Sequence, residues 1–153
     1  MATVQKQTDA PDAEVLDLKI QLVSEGHHKH VLAKTDMSSF NVHAYAPKGG
    51  ENGMHAHMEE DHIFLVLQGE AQFRTPKGDL PVVRKHQALF LPKGAYYCFS
   101  NEGTENLILA RFGATPPGVT HGHRLDPKGD FIPGRAAEKG AIKPHFIEGK
   151  FFE

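Results

Sequence analysis

Leu16, Leu18, Ile20 and Leu22 alternate with Asp17, Lys19 and Gln21, the period of two that turns one face of an extended chain to a core and the other to water. The rhythm predicts a first strand over residues 15–23. Short apolar or alternating runs recur at 30–33, 40–46, 62–68, 71–74, 80–84, 88–91, 96–100 and 106–112, and no helical period of useful length competes with them. Between the runs lie turn signals, among them the tripeptide Pro-Lys-Gly beginning at Pro47, Pro76, Pro92 and Pro127. Proline presets the first corner of such a turn and glycine supplies a positive φ. The spacing of these turns is unequal, which indicates repeated turn chemistry rather than repeated domains. Many short strands with this punctuation predict an all-β sandwich or jelly-roll barrel.

Residues 1–13 are polar and read as a loose terminus. From Pro116 the chain turns rich in Gly and Pro, yet Phe131, Ile132, Ile142, Phe146, Ile147, Phe151 and Phe152 are spread along it. Such residues do not suit a tail that buries nothing, so 116–153 is expected to be an extended arm over the barrel or over a second subunit. The whole, residues 1–153, is expected to be a single domain, with the barrel and its first strand spanning 14–115.

Composition narrows the chemistry. Among 153 residues, 17 bases against 19 acids leave a net charge of -2, which does not suit a nucleic-acid groove. The single Cys98 excludes an intrachain disulfide scaffold and a thiolate zinc site. The N-terminus lacks a basic start followed by an apolar run, and no apolar stretch of about 18 residues occurs. A soluble cytoplasmic protein that engages neither membrane nor nucleic acid is expected. Eleven histidines are the unusual figure, because neutral imidazole is the commonest metal ligand.

Only some of them have useful spacing. His55 and His57 are two apart, so on a strand both imidazoles leave the same face, about 6.5–7 Å apart along it. Met58 to Asp61 supply a polar turn, and His62 opens the next apolar strand, which can return a third imidazole beside the first two. Three neutral nitrogens on one side of an ion leave its other positions open for water, O2 or substrate. The plainer alternative is that His57 and His62 line a polar loop.

The flanking residues resemble the cupin superfamily. Its first motif, G-x5-H-x-H-x(3,4)-E-x6-G, is met at Gly49, His55, His57 and Gly69, and its second, G-x5-P-x-G-x2-H-x3-N, at Pro92, Gly94 and Asn101. The resemblance covers about residues 38–112. It implies the double-stranded β-helix, or cupin jelly-roll barrel, with a mononuclear metal near the mouth, in a family of dioxygenases, isomerases, lyases and plain ligand binders. Counting back from Gly69 puts His62 at the motif glutamate, in preference to Asp61, and to Glu59 or Glu60 after it. Tyr97 stands at the motif-two histidine and His86 at that motif's first glycine. Tyr97 is then a fourth ligand, or a hydroxyl beside the open positions that donates to bound oxygen or moves a proton, or a plug in a degenerate site.

These readings lead to an expectation of one divalent transition metal, iron foremost with manganese, nickel, zinc or copper as alternatives, held by His55, His57, His62 and Tyr97. Tyr97 is the candidate catalytic residue. A three-His set would leave the ion its full +2 charge and favour anionic ligands. The expected activity is that of a dioxygenase or related oxidoreductase on a small oxygenated or aromatic molecule. A non-catalytic small-molecule binder and an accessory subunit of a larger enzyme are the alternatives, and a homodimer is expected. His43 is a candidate pocket residue or a satisfied core histidine. The His27, His28, His30 cluster and the His121, His123 pair are expected to be solvated, Cys98 to be buried packing, and Phe64, Phe73, Phe90, Tyr96 and Phe99 to form core or pocket wall.

Overall fold

The computed structural model describes residues 10–49, 53–119, 123–133 and 142–153. His121 and residues 1–9 lie outside them. The described residues contain strands and turns with no helix. In chain order the strands are β1 Ile20–Glu25, β2 His27–Lys34, β3 Ser38–Tyr45, β4 His55–His57, β5 Asp61–Gln68, β6 Glu70–Thr75, β7 Gly78–Asp79, β8 Val83–Arg84, β9 Ala88–Leu91, β10 Tyr96–Ser100, β11 Leu107–Ala114, β12 Arg124–Leu125, β13 Phe131–Ile132 and β14 His145–Phe152.

One sheet has the order β2-β3-β11-β5-β9, and a second runs β13-β12-β4-β10-β6-β7 with β8 beside β6. Alternation along β11 sends Leu107 and Leu109 inward to meet Tyr45, Phe64, Val66, Phe73, Tyr97 and Phe99. Ile108, one residue out of phase, packs on the opposite face with Val42 and Ala44. The first sheet is therefore covered on both sides, by the barrel interior and by Ile20 and Val23 of β1. The all-β jelly-roll reading holds, and each Pro-Lys-Gly tripeptide lies in a turn.

Gly69 joins β5 to β6 with φ +74, and a Cβ there would stand 3.1 Å from the Asn106 carbonyl. Both the backbone sign and the close approach demand glycine. Asn101, the motif-two asparagine, is structural: Nδ2 donates to the carbonyls of Tyr45, Ala46 and Glu105, and Oδ1 accepts from Gly103 N–H.

Several expectations change. The first ladder starts at Ile20 rather than residue 15, and Val15 is exposed. Among the described residues, 10–19 have no strand partner, so alternation alone did not make them a strand. Of the expected arm over 116–153, the described strands lie against the rest of the fold: β12 pairs with β4, β13 with β12, and β14 lies antiparallel to β1. Phe90 is exposed on the outer face of the edge strand β9 and is not part of the barrel core; with Phe40, Ile63 and Phe112 it lines an outer pocket instead. Cys98 is buried as expected.

Candidate metal centre

The site lies where β5 begins and β9 and β11 end. His62 pairs with Leu91 and with Gly113, and its parity with Phe64 and Val66 points it inward. β4 lies across the opening, with His55 opposite Tyr97 of β10 and His57 opposite Arg124 of β12. Facing partners share a side of the sheet, so His55, His57, Tyr97 and Arg124 all belong to the interior face.

His57, Glu60 and His62 offer ligand atoms that all lie within 4.8 Å of one another. The carboxylate comes from Glu60, ranked by sequence behind both His62 and Asp61. Strand parity does not govern it, because Glu60 sits in the non-strand turn before β5. Its side chain folds inward and is 5% exposed. Space for it depends on Gly113, where a Cβ would collide with Glu60 Oε1 and also meet Ser39 Oγ at 2.8 Å. Asp61 instead accepts a hydrogen bond from Lys93 N–H at 2.8 Å, holding the β9–β10 turn.

The expected His55, His57, His62 set is thus arranged differently. His57 and His62 are in contact with their rings tilted, centroids 4.1 Å apart, and His55 stands beside them, 5.2 Å from His57. His55 Nδ1 donates to the Gly53 carbonyl at 2.7 Å, which leaves Nε2 as its acceptor nitrogen. That second-atom hydrogen bond is the one metal-bound histidines use to fix their tautomer, although His55 is outside the compact three-residue group. Tyr97 packs against His55 at 4.6 Å between centroids and against Phe64 at 5.8 Å. Burial pushes its phenol well above the usual range, which keeps the hydroxyl protonated and favours the donor reading of Tyr97 over the phenolate one.

His57 Nδ1 is buried without a hydrogen-bond partner and stands 4.0 Å from Glu60 Oε2. Burial first, then repulsion from His62 and Arg111, pushes His57 far below the ordinary histidine range. Burial likewise lowers His62, against the pull of Glu60. Both rings are held neutral, the form that offers a lone pair. His62 Nε2 is approached by Arg111 Nη2 at 2.5 Å and by Glu60 Oε2 at 3.2 Å. One ring nitrogen carries either a proton or a lone pair, so these cannot both be hydrogen bonds in one tautomer. The neutral ring and the Arg111 donor put the lone pair on Nε2. A buried orphan nitrogen, a contested lone pair and a carboxylate in one place fit a bound cation, which would satisfy all three. Arg111, whose Nη2 also donates to Glu60 Oε1 at 3.4 Å, was not singled out from sequence.

The other histidines divide by environment. His43 is buried, and its Nδ1 shares a 2.7 Å hydrogen bond with His27 Nε2. His27 also stacks on Tyr45, with centroids 4.2 Å apart, so it is packed rather than solvated. His30, His86 and His123 are exposed, and His86 adopts a positive φ in its turn.

Fold and site define a small double-stranded β-helix barrel with a histidine-carboxylate group at one end. The cupin domain family matches residues 41–110, and that segment is similar to a cupin domain. Among solved structures, a Klebsiella pneumoniae protein with a double-stranded β-helix domain is 18% identical, with 68% of this chain and 91% of that one covered and a TM-score of 0.60. A conserved Streptococcus pyogenes protein of unknown function is 20% identical over 71% of this chain and 93% of its own, with a TM-score of 0.57. A cupin superfamily protein of Desulfitobacterium hafniense is 15% identical over 63% and 84%, with a TM-score of 0.55. These likenesses concern fold. No curated protein matches the chain.

Proposed function

We propose that this cupin binds one divalent transition metal through His57, Glu60 and His62, with His55 beside them, and acts as an oxidoreductase of the dioxygenase kind on a small oxygenated molecule. The observation that carries the reading is the two-histidine, one-carboxylate group, a donor set associated with non-haem iron and open coordination positions. Bound there, the ion supplies Lewis acidity toward an oxygen-bearing ligand and, as iron, a redox centre for O2. Glu60 contributes one negative charge, so the ion keeps less net charge than a three-His set would leave it. The protonated Tyr97 hydroxyl is placed to donate a hydrogen bond to an oxygen of the ligand, and Phe64 and Phe73 wall the interior against water.

The Arg111 contact favours a second reading. Its guanidinium already lies on His62 Nε2 and Glu60, the place a metal would take, as in a non-catalytic binder whose resident cation is arginine. Elemental analysis of protein purified without chelator separates the two. The enzyme reading expects about one transition metal per chain and its loss in His57→Ala. Metal-free protein that takes up no iron, manganese, nickel, copper or zinc on addition leaves the binder.

A further inference from the structure

We propose that the open half of the outer face of the five-stranded sheet docks a second copy of this chain, face to face about a two-fold axis that runs along β11.

Facing partners share a side of the sheet, so the pairings Ala33 with Phe40, Phe40 with Phe112, Phe112 with Ile63 and Ile63 with Phe90 draw one row across all five strands. The row lies outside, because its neighbours Arg111, His62 and Leu91 point into the barrel. Phe112, Ile63 and Phe90 are 41%, 42% and 60% exposed, and Phe40 stacks on Phe112 with centroids 4.3 Å apart. The next outward row, Val42, Ala110, Leu65 and Ala88, is apolar as well.

The strands β3, β5, β9 and β11 carry two charged residues between them, Arg111 turned inward and Asp61 at the start of β5. An antiparallel sheet that shows its outer face to water carries polar residues there. This one is apolar on both faces. Part of the outer face has its cover, since Ile20 and Val23 of β1 pack on Val42, Ala44 and Ile108. The row from Ala33 to Phe90 lies beyond that cover among the described residues.

Its extent suits the centre of an interface. Five strands at about 4.8 Å and five residues from Asp61 to Leu65 at about 3.4 Å give an area of about 400 Å², and an exposed apolar patch of that order marks a contact site on a soluble chain. A stable dimer buries about 800 Å² on each partner, an apolar core inside a polar rim. Lys34, Thr35, Ser38 and Asp61 supply that rim around the hollow.

The occupant follows from the row's match to itself, which an isologous contact requires. β11 is the middle strand of the five, so an axis along it lays each strand over the one equally far on the other side. Phe112 then meets Phe112 of the partner subunit, and Phe40 meets the partner's Ile63. Phe90, the most exposed member, falls on the partner's Ala33, the smallest. Large on small lets the two sheets close to the usual separation of about 10 Å. The same operation brings Lys34 of β2 to within one strand of the partner's Asp61, so that opposite charges close the rim twice in the dimer.

Sedimentation equilibrium of the full chain over a concentration series is the test. Wild type is expected to be a dimer at tens of micromolar. Phe90→Glu and Ile63→Glu, both at exposed positions, are expected to weaken it at least ten-fold with an unchanged far-UV circular dichroism spectrum. Lys34→Glu sets like charge against the partner's Asp61 and is expected to weaken the dimer several-fold at low salt; as a polar exchange at an exposed position it leaves the barrel core untouched. Wild type that is monomeric at hundreds of micromolar, or wild-type affinity in both Phe90→Glu and Ile63→Glu, overturns the interface. A Lys34→Glu chain that dimerises like wild type at low salt overturns the axis along β11.

Discussion

Glu60 carries more of the site than any residue the motif count favoured, and two neighbouring acids separate cleanly by what they touch. Glu60 faces His57 and His62, whereas Asp61 is spent on Lys93 N–H. Glu60→Gln removes the anionic ligand and should weaken metal binding about 100-fold, about 2.7 kcal/mol, in competition with a chromophoric chelator. Asp61→Asn should leave that affinity within about two-fold. Arg111 competes with an ion for the His62 lone pair, so Arg111→Gln should tighten metal binding about ten-fold, about 1.4 kcal/mol; weaker binding in that variant would show that the guanidinium positions the ligands instead. Gly113→Ala tests the space that admits Glu60. Its methyl should displace the carboxylate and lower metal affinity by at least ten-fold in the same assay.

The strands divide labour along their length. β11 holds Arg111 and Gly113 at one end, and just before its other end Asn106 ties β1 to the barrel. Asn106 Oδ1 accepts from Val23 N–H and Nδ2 donates to the Val23 carbonyl, both at 2.9 Å. This side chain imitates a strand partner where the β1–β14 ladder shifts register around Val23. Asn106→Ala would strand both Val23 groups in a buried place, at about 1–3 kcal/mol each if left unsatisfied. Denaturant unfolding should show a loss of about 2–4 kcal/mol, while metal uptake by the folded variant stays as in wild type. A variant that loses metal as well as stability would show that the two ends of β11 are coupled.

Across the fold as one cooperative unit, the two buried neutral histidines link stability to acidity. His57 and His62 titrate below their ordinary value when folded, whereas in the unfolded chain they protonate near 6.5. The unfolded state therefore binds more protons below about pH 6.5, and stability is lost as pH falls through that value. The slope approaches about 1.4 kcal/mol per pH unit for each histidine kept neutral. Thermal melting of metal-free protein should be level on this account between pH 7.5 and 8.5 and fall steeply from 6.5 to 5. His57→Gln should reduce that slope by about half, and an unchanged slope would place the acid sensitivity elsewhere.

Strand positions were legible from alternation because period-two burial is a local property. The runs at 88–91 and 96–100 coincide with β9 and β10, and those at 62–68 and 106–112 fall within two residues of β5 and β11 at each end. His57 and His62 were legible for the same reason, since each sits on a strand whose parity sets its face. Glu60 was not, because a turn side chain has no parity and its inward path depends on a missing Cβ 53 residues away at Gly113. Neither was Arg111, whose position looked like an ordinary polar member of the run at 106–112. Local periodicity and turn chemistry were enough to predict an all-β barrel, and the motif resemblance pointed to the cupin kind and to His57 and His62 as candidate ligands. Which carboxylate completes the group, and which cation lies against it, depends on strand pairings between distant parts of the chain, so only the folded chain decides them.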